Sequence, residues 1–238
     1  MHIFLTGATG YVGSQICRDL LAAGHQVTAL VRPGSGEKLP VDPGRITQVR
    51  GDALDSESYH DALDPCDAII HLVGIIREFP QKGITYEKLH VRVTEQLVAA
   101  AKNHGIDRFI YMSALGAKPE SDSGYFETKA RMEALIRSTG LDYTIFKPCI
   151  MFGEDDDFIN YFAEIISSFH LIPIVGAGKY RMQPVALADA SQAFVRALTT
   201  PESIGKTYEI GGPDRYEYKE MLQVVKRTMQ TWAIPMHT

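Results

Sequence analysis

Short runs of apolar and β-branched residues alternate with segments of helical periodicity along most of this chain of 238 residues. Unbroken apolar runs are typical of strands that are buried on both faces of a sheet. Between the runs, apolar residues recur every three or four positions, as Val12, Ile16 and Leu20 do. The alternation therefore predicts an α/β fold with a doubly wound, mostly parallel sheet. The predicted strands are HIFLT (2–6), QVTALV (26–31), ITQVR (46–50), AIIHLV (68–73), RFIYMS (108–113), DYTIFK (142–147) and TYEI (207–210).

The regular alternation of strands and helices loosens after residue 152. We predict that residues 1–152, completed by 183–212, form the sheet domain. Residues 153–182 and 213–238 then form a small region on the substrate side, because ligands of open α/β sheets bind at the carboxyl ends of the strands.

Composition limits the partners that this chain is expected to have. The formal net charge of −5 at pH 7 offers no general attraction to nucleic acid or to anionic lipid, and no apolar run approaches the ~20 residues of a membrane helix. Three cysteines without CxxC spacing favour a reducing compartment. A strand predicted next to Met1 leaves no room for a targeting peptide. We therefore expect a cytoplasmic protein without nucleic-acid binding or membrane insertion.

No metal site is predicted. The histidines show neither HExxH spacing nor a close pairing with cysteine. The acidic run 154–157 precedes a segment of helical period, and we interpret it as the negatively charged start of a helix rather than as a cation site.

A glycine-rich segment, TGATGYVG (6–13), lies at the first junction between strand and helix. Gly7 and Gly10 have no Cβ, so a pyrophosphate can approach the main chain closely, while Gly13 lets the helix pack against the strand. The spacing is GxxGxxG rather than GxGxxG. The position of the segment predicts a dinucleotide site, and the alternative is a merely tight turn. The predicted cofactor-binding residues here are Gly7, Thr9, Gly10, Tyr11, Val12 and Gly13.

The ends of the second and third strands bear on which nucleotide is bound. Dinucleotide sites often place an acidic residue after the second strand, but this chain has Arg32 there, and the next acid downstream is Glu37. A guanidinium suits a 2′-phosphate, which favours NADP(H) over NAD(H); the alternative is a solvated surface arginine. Asp52 and the adjacent Ala53 follow the third strand and are predicted to reach the adenine, or else Asp52 is a turn or cap residue.

Ser113, Tyr125 and Lys129 are the candidate catalytic residues. Tyr125 and Lys129 are four apart at the start of a predicted helix, where their side chains are neighbours. An ammonium group beside a phenol favours the phenolate, so Tyr125 would transfer a proton near neutral pH. Ser113 would donate to the substrate oxygen, and Lys129 would also bond the nicotinamide ribose. The alternative is that Tyr125 packs at the edge of the core and Lys129 pairs with Glu133.

A second Tyr-x-x-x-Lys pattern, Tyr143 with Lys147, lies in a predicted strand. Four residues of a strand span ~13 Å, which is too far for both groups to act on one reacting centre. The strand context therefore favours Tyr125 and Lys129 as the catalytic pair.

Taken together, these motifs resemble the short-chain dehydrogenase/reductase superfamily in its extended or atypical branch. The segment from YEKLH to YFAEI (86–165), with its phrases SALGA and FGEDDDFINYFA, is similar to the NADPH-binding accessory subunits of respiratory complex I and their bacterial relatives. The likeness runs from residue 2 to about residue 225. It implies a dinucleotide-binding Rossmann domain, with further cofactor contacts at Leu72, Val73 and Gly74 and at Pro148 beside the nicotinamide.

His90 departs from the pattern of the extended branch, which often carries an asparagine there. We expect His90 to be a packed or solvated helix residue rather than part of a proton relay. Members of the family also tend to continue for several tens of residues beyond position 238.

Three functions follow from this sequence. The first is an NADPH-dependent oxidoreductase that acts on a small carbonyl or related substrate whose identity is open. The second is a non-catalytic module that binds NADPH for structure, assembly or redox sensing, with a protein partner or a second copy of itself. The third is a nucleotide-sugar epimerase or dehydratase.

Overall fold

The structure is a computed structural model and describes residues 1–35, 39, 41–174 and 177–237. Its helices are α1 (Tyr11–Ala22), α2 (Val93–Asn103), α3 (Gly124–Ser138), α4 (Ile159–Phe169), α5 (Leu187–Ala197) and α6 (Tyr218–Thr228). Its strands are β1 (His2–Thr6), β2 (Gln26–Val31), β3 (Thr47–Arg50), β4 (Ala68–His71), β5 (Arg108–Met112), β6 (Asp142–Pro148), β7 (Met151–Phe152), β8 (Leu171–Ile174), β9 (Arg181–Met182), β10 (Val185–Ala186), β11 (Lys206–Ile210), β12 (Tyr216–Glu217) and β13 (Ile234–His237).

Seven strands form the main sheet, in the order β3-β2-β1-β4-β5-β6-β11. Neighbours from β3 to β6 are parallel, with His2 opposite Gln26 and Ile3 opposite Ala68. The order reverses between β1 and β4, which is the switch point where such sheets bind ligands. The predicted fold class, a doubly wound and mostly parallel sheet, is confirmed.

The direction of β11 follows from backbone hydrogen bonds at its two ends. Before it begins, the Gly205 N–H donates to the Tyr143 carbonyl, and at its end the Ile210 carbonyl accepts from the Cys149 N–H. Both β6 and β11 therefore advance in the same direction, as the other strands of the sheet do.

The central strands carry the core because both of their faces are covered. Phe4 of β1 and Ile69 of β4 are fully buried, and they belong to a cluster with Leu97 of α2 and Ile136 of α3. Burial of each such side chain stabilises the folded state by roughly 1.5–3 kcal/mol relative to leaving it exposed to water. This burial explains why the strands read as continuous apolar runs.

By its internal contacts the chain divides into two compact units. The larger comprises Met1–Lys147 with Ser191–Glu209, and the smaller Pro148–Ala190 with Ile210–Thr238. In the smaller unit, α4 and α6 enclose an apolar cluster, and short strand pairs form between β7 and β10, β9 and β12, and β8 and β13. None of the described helices combines the length and apolar character that crossing a membrane requires.

The acidic run 154–157 supplies a capping residue at the N-terminus of α4. The Asp156 carboxylate is buried and accepts hydrogen bonds from the backbone N–H groups of Phe158 and Ile159 at the beginning of α4. These N–H groups have no partner within the helix, so the carboxylate satisfies them and complements the helix dipole.

Candidate active site

The glycine turn between β1 and α1 depends on close backbone contact. The Gly10 N–H donates to the Gly7 carbonyl at 3.0 Å, and Gly7 has φ +81°, a left-handed conformation that glycine adopts without strain. A Cβ on Gly13 would lie 2.0 Å from the Gly7 carbonyl oxygen and 2.7 Å from its carbon. Only glycine therefore fits at position 13, where α1 packs on the turn.

The same turn presents a cradle that fits a pyrophosphate. Apart from its neighbours along the chain, the one described atom that a Cβ on Gly10 would meet within 4 Å is the Gly7 oxygen, at 3.3 Å, so its other side is open. Among the described residues no side chain caps α1, and its first turn holds no acidic residue, so the backbone amides there can bind an anion. Thr9, Tyr11 and Val12 are half-buried around this opening.

The segment after β4 lies directly against the glycine turn. A Cβ on Gly7 would be 3.3 Å from the carbonyl carbon of Leu72 and 3.4 Å from the nitrogen of Val73. The structure thus brings together two of the predicted sets of cofactor contacts, from opposite sides of the switch point. Pro148 is buried at the end of β6.

Arg32 and Asp52 follow adjacent strands. Arg32 is exposed directly after β2, and the Ser35 N–H donates to its carbonyl across a turn whose Gly34 has φ +80°. Asp52 follows β3, and its carboxylate accepts the Leu54 N–H at 3.0 Å in a local turn. Ala53 is buried, while Glu37 lies outside the described residues.

Lys129 is a buried cation on α3. Its side chain is 2% exposed, and its Nζ donates to the Met112 carbonyl at 2.9 Å and lies 5.0 Å from the centre of the Tyr111 ring. A Cβ on Gly74 would be 3.1 Å from this Nζ, so the ammonium group faces the segment after β4. In the described part of the chain, no carboxylate oxygen lies within 4.0 Å of it. Burial lowers the pKa of Lys129 to about 8, although the nearby charge of Glu133 acts in the opposite direction.

Tyr125 lies one turn before Lys129, among other rings. Its ring centre is 5.6 Å from that of His90, 6.0 Å from that of Tyr86 and 5.2 Å from that of Phe126. Burial raises the pKa of Tyr125, and the neighbouring Tyr86 raises it further. The expected stabilisation of a phenolate by Lys129 is therefore not found, because the loss of water around the phenol dominates. Tyr125 keeps its proton at neutral pH.

Ser113 and Glu133 form a buried cluster that the sequence did not suggest. The Ser113 hydroxyl donates to the Glu133 carboxylate at 2.5 Å, and that carboxylate also pairs with Arg137 at 2.8 Å and with Lys147 at 3.2 Å. The ion pairs of Glu133 within 4.0 Å, among the described residues, are with Arg137 and Lys147, while Lys129 feels the Glu133 charge from farther away. Lys147 lies on a strand as expected, and the Glu133–Arg137 spacing of four was the only signal of this cluster.

His90 is fully buried in a π-helical turn, Glu87–Arg92, that leads into α2. Its Nδ1 is 2.9 Å from the Thr128 Oγ1, and its Nε2 accepts the Ile75 N–H at 3.0 Å. Burial, reinforced by the charge of Lys129, lowers the pKa of His90 to about 3. The expectation of a packed residue is confirmed, and the imidazole stays neutral at physiological pH.

Replacing Lys129 with methionine is expected to stabilise the protein at pH 7. The fall in the lysine pKa from 10.5 to about 8 corresponds to a charge-burial penalty of about 3 kcal/mol, partly offset by the lost bond to the Met112 carbonyl, about 1 kcal/mol. We expect a net gain of about 2 kcal/mol in urea unfolding at pH 7.

The sign of the pH dependence follows from the lowered pKa. Below pH 8 the buried charge carries its full penalty, and the penalty disappears as pH rises towards 10.5. The advantage of the variant must therefore shrink over that interval. Lys147→Met is the matched control and should be destabilising, because it leaves the buried Glu133 with one cation fewer. A Lys129→Met protein that is less stable than wild type at pH 7 contradicts the argument.

A parallel sheet that reverses its order beside a glycine-lined helix start defines a dinucleotide-binding α/β protein. The family of NAD(P)H-binding proteins matches residues 7–163, and this chain belongs to that family.

Relatives of known description support the predicted resemblance. The chain is 31% identical over 232 residues to the mitochondrial NADH dehydrogenase (ubiquinone) 1 alpha subcomplex subunit 9 of Arabidopsis thaliana, with 95% of this chain and 57% of that protein covered. For the Mus musculus counterpart the identity is 31% over 239 residues, with 97% and 63% covered. The chain thus spans about three fifths of the length of these relatives. The resemblance to accessory subunits of the respiratory NADH dehydrogenase is confirmed.

Solved structures agree on the fold. The NAD complex of Thermus thermophilus UDP-glucose 4-epimerase superposes with a TM-score of 0.84 at 20% identity, over 99% of this chain and 86% of that one. The Thermotoga maritima UDP-glucose 4-epimerase with UDP-glucose gives 0.87 at 18% identity, over 100% and 85%. At these identities the likeness concerns the fold alone.

Proposed function

We propose that this chain binds NADPH at the carboxyl edge of its main sheet and reduces a small carbonyl substrate. The observation that carries the proposal is Lys129, a buried ammonium group with no carboxylate oxygen within 4.0 Å among the described residues, which faces Gly74 one turn from Tyr125. A buried charge of this kind is costly unless a ligand uses it. When bound, NADPH supplies the hydride.

The residues that would hold the cofactor come from both sides of the switch point. The glycine turn would bind the pyrophosphate through its backbone amides, and Lys129 would donate to the nicotinamide ribose. The remaining contacts come from the strand ends. The proposed cofactor-binding set is Gly7, Thr9, Gly10, Tyr11, Val12, Gly13, Arg32, Asp52, Ala53, Leu72, Val73, Gly74, Lys129 and Pro148.

Tyr125 is the proposed proton donor. In the reductive direction the donor must enter the reaction protonated, and the raised pKa of Tyr125 keeps the proton on its phenol oxygen. Donation from Ser113 to a substrate oxygen requires its hydroxyl to leave the Glu133 carboxylate. The proposal therefore rests on Tyr125 rather than on Ser113.

The direct test is a titration of the purified protein with NADPH and NADH, followed by a screen of aldehydes and ketones for NADPH oxidation. Micromolar binding with turnover of at least one carbonyl supports the reductase. If neither NADPH nor NADH binds, the proposed cofactor site is wrong.

Replacing Arg32 with alanine is expected to weaken NADPH binding about tenfold or more and to leave NADH binding within twofold, because only NADPH carries the 2′-phosphate that a guanidinium can bind. Arg32 is exposed, so folding should be unaffected. Arg45→Ala, an exposed arginine before β3, is the control and should change neither affinity. An equal loss of affinity for NADPH and NADH in Arg32→Ala, or a wild-type protein that binds NADH more tightly than NADPH, contradicts the assignment of NADP(H).

A non-catalytic module that binds NADPH within a larger assembly is the second proposal. The 31% identity to respiratory subunits favours it, as does the Ser113 hydroxyl, which is already engaged by Glu133. Tight NADPH binding without turnover of any carbonyl supports this role. Sugar-nucleotide epimerisation remains third, because the likeness to epimerases concerns the fold.

A further inference from the structure

A chain of buried hydrogen bonds crosses the core of the larger unit. His71 at the end of β4 is fully buried, with its Nδ1 2.9 Å from the Thr6 Oγ1 and its Nε2 3.0 Å from the Thr94 Oγ1. The Thr94 hydroxyl in turn lies 2.5 Å from the His90 carbonyl. Polar groups this deep in an apolar core cost stability unless every one of them is paired, so a chain of this length calls for a reason.

The direction of each bond in this chain follows from the donors that are present. The His90 carbonyl can only accept, so the Thr94 hydroxyl donates to it and its oxygen accepts from the Nε2–H of His71. The Nδ1 of His71 then accepts from the Thr6 hydroxyl. Burial lowers the pKa of His71 well below its ordinary value, which keeps the ring in this neutral form.

This series of hydrogen bonds runs between two segments of irregular backbone: the glycine turn after β1 and the π-helical turn before α2. Thr6 is the last residue of β1, directly before the glycine turn, and its Oγ1 also accepts the Leu72 N–H at 3.4 Å. At the other end, the Thr94 hydroxyl donates to the carbonyl of His90 within the π-helical turn, four residues earlier, as threonine side chains in helices often do.

We propose that His71 is a positioning residue that couples the glycine turn to the π-helical turn through Thr6 and Thr94. The His90 ring of that π-helical turn contacts Tyr125. The inference rests on the cofactor site proposed above. His90 holds Ile75 and Thr128 from the same turn. The hydrogen bonds therefore link the glycine turn to the π-helical turn and, through His90, to Thr128 beside Lys129, so neither turn can shift without breaking a buried bond.

The test is a double-mutant cycle on NADPH affinity. Thr6→Val and Thr94→Val each remove one hydroxyl at nearly constant shape, and we expect each to raise the Kd about fivefold. Because both act through His71, the double variant should also show a loss of about fivefold rather than the 25-fold of independent sites. Thr94→Ser, which keeps the hydroxyl, should restore wild-type affinity.

Thr144→Val is the matched control, since Thr144 is equally buried but bonds Arg108 and Ser203, which take no part in the hydrogen bonds of His71. Its effect should add to that of Thr6→Val. Amide exchange without nucleotide gives a second readout: Thr94→Val should speed exchange of the Gly10 N–H about tenfold, and Thr144→Val should leave it unchanged.

Additive losses for Thr6→Val and Thr94→Val, or unchanged Gly10 exchange in Thr94→Val, overturn the coupling. If no nucleotide binds, the proposed function fails, and the exchange measurement still decides whether His71 couples the two turns.

Discussion

Gly13→Ala is expected to destabilise the protein by about 3 kcal/mol or more and to abolish NADPH binding. The added Cβ would lie 2.0 Å from the Gly7 carbonyl oxygen, which is backbone and cannot move aside as a side chain can. Either α1 separates from the turn or the turn loses the conformation in which Gly7 has φ +81°. Urea unfolding and fluorescence titration with NADPH measure the two effects.

Gly10→Ala separates the folding role of the turn from its binding role. Within the described part of the chain, its Cβ would come close to one atom outside its immediate neighbours, the Gly7 oxygen at 3.3 Å, a slightly tight contact, so stability should stay within about 1 kcal/mol of wild type. The methyl group would nevertheless stand where a phosphate must approach, and we expect the NADPH Kd to rise about 100-fold. A Gly13→Ala protein with wild-type stability, or a Gly10→Ala protein with wild-type affinity, would contradict the role given to this turn.

Tyr125→Phe is expected to reduce NADPH oxidation by about 10²–10⁴-fold, which is the contribution of a positioned general acid. The ring contacts with His90 and Phe126 do not need the hydroxyl, so the phenylalanine should pack as the tyrosine does. NADPH affinity should therefore stay within twofold of wild type. Steady-state kinetics and a binding titration on the same preparation separate the two quantities.

Tyr143→Phe is the matched control, because Tyr143 begins the other Tyr-x-x-x-Lys pattern, which runs along β6. Its loss should leave turnover unchanged. Turnover that survives in Tyr125→Phe would assign the proton to another group and remove the basis of the reductase proposal.

The main sheet could be predicted closely from the sequence. β1 and β2 have the predicted residues, and β3 begins one residue later than expected. The largest difference is β4, which ends at His71 although the apolar run continues through Leu72 and Val73. The glycine turn lies against the backbone of these two residues, a contact between segments some 65 positions apart, and the Leu72 N–H still donates to the Thr6 carbonyl at 3.3 Å.

The electrostatics of the site could not be predicted in the same way. The proximity of Tyr125 and Lys129 follows from helical spacing, but their ionisation depends on burial, which lowers the lysine pKa and raises the tyrosine pKa. The partner of Ser113 is Glu133, and that carboxylate is shared with Lys147 from a strand. Such pairings depend on packing between elements that no local pattern records.

The sequence by itself determined the class of fold and the place of the cofactor turn, because strand and helix periodicity and the need for glycine at a close backbone contact are local properties of the chain. Only the tertiary structure decided how His71, His90 and Lys129 are buried and which atoms satisfy them. Hydrogen bonding and desolvation in the core depend on residues that meet from distant parts of the chain, so those properties exist only once the sheet and its helices have packed.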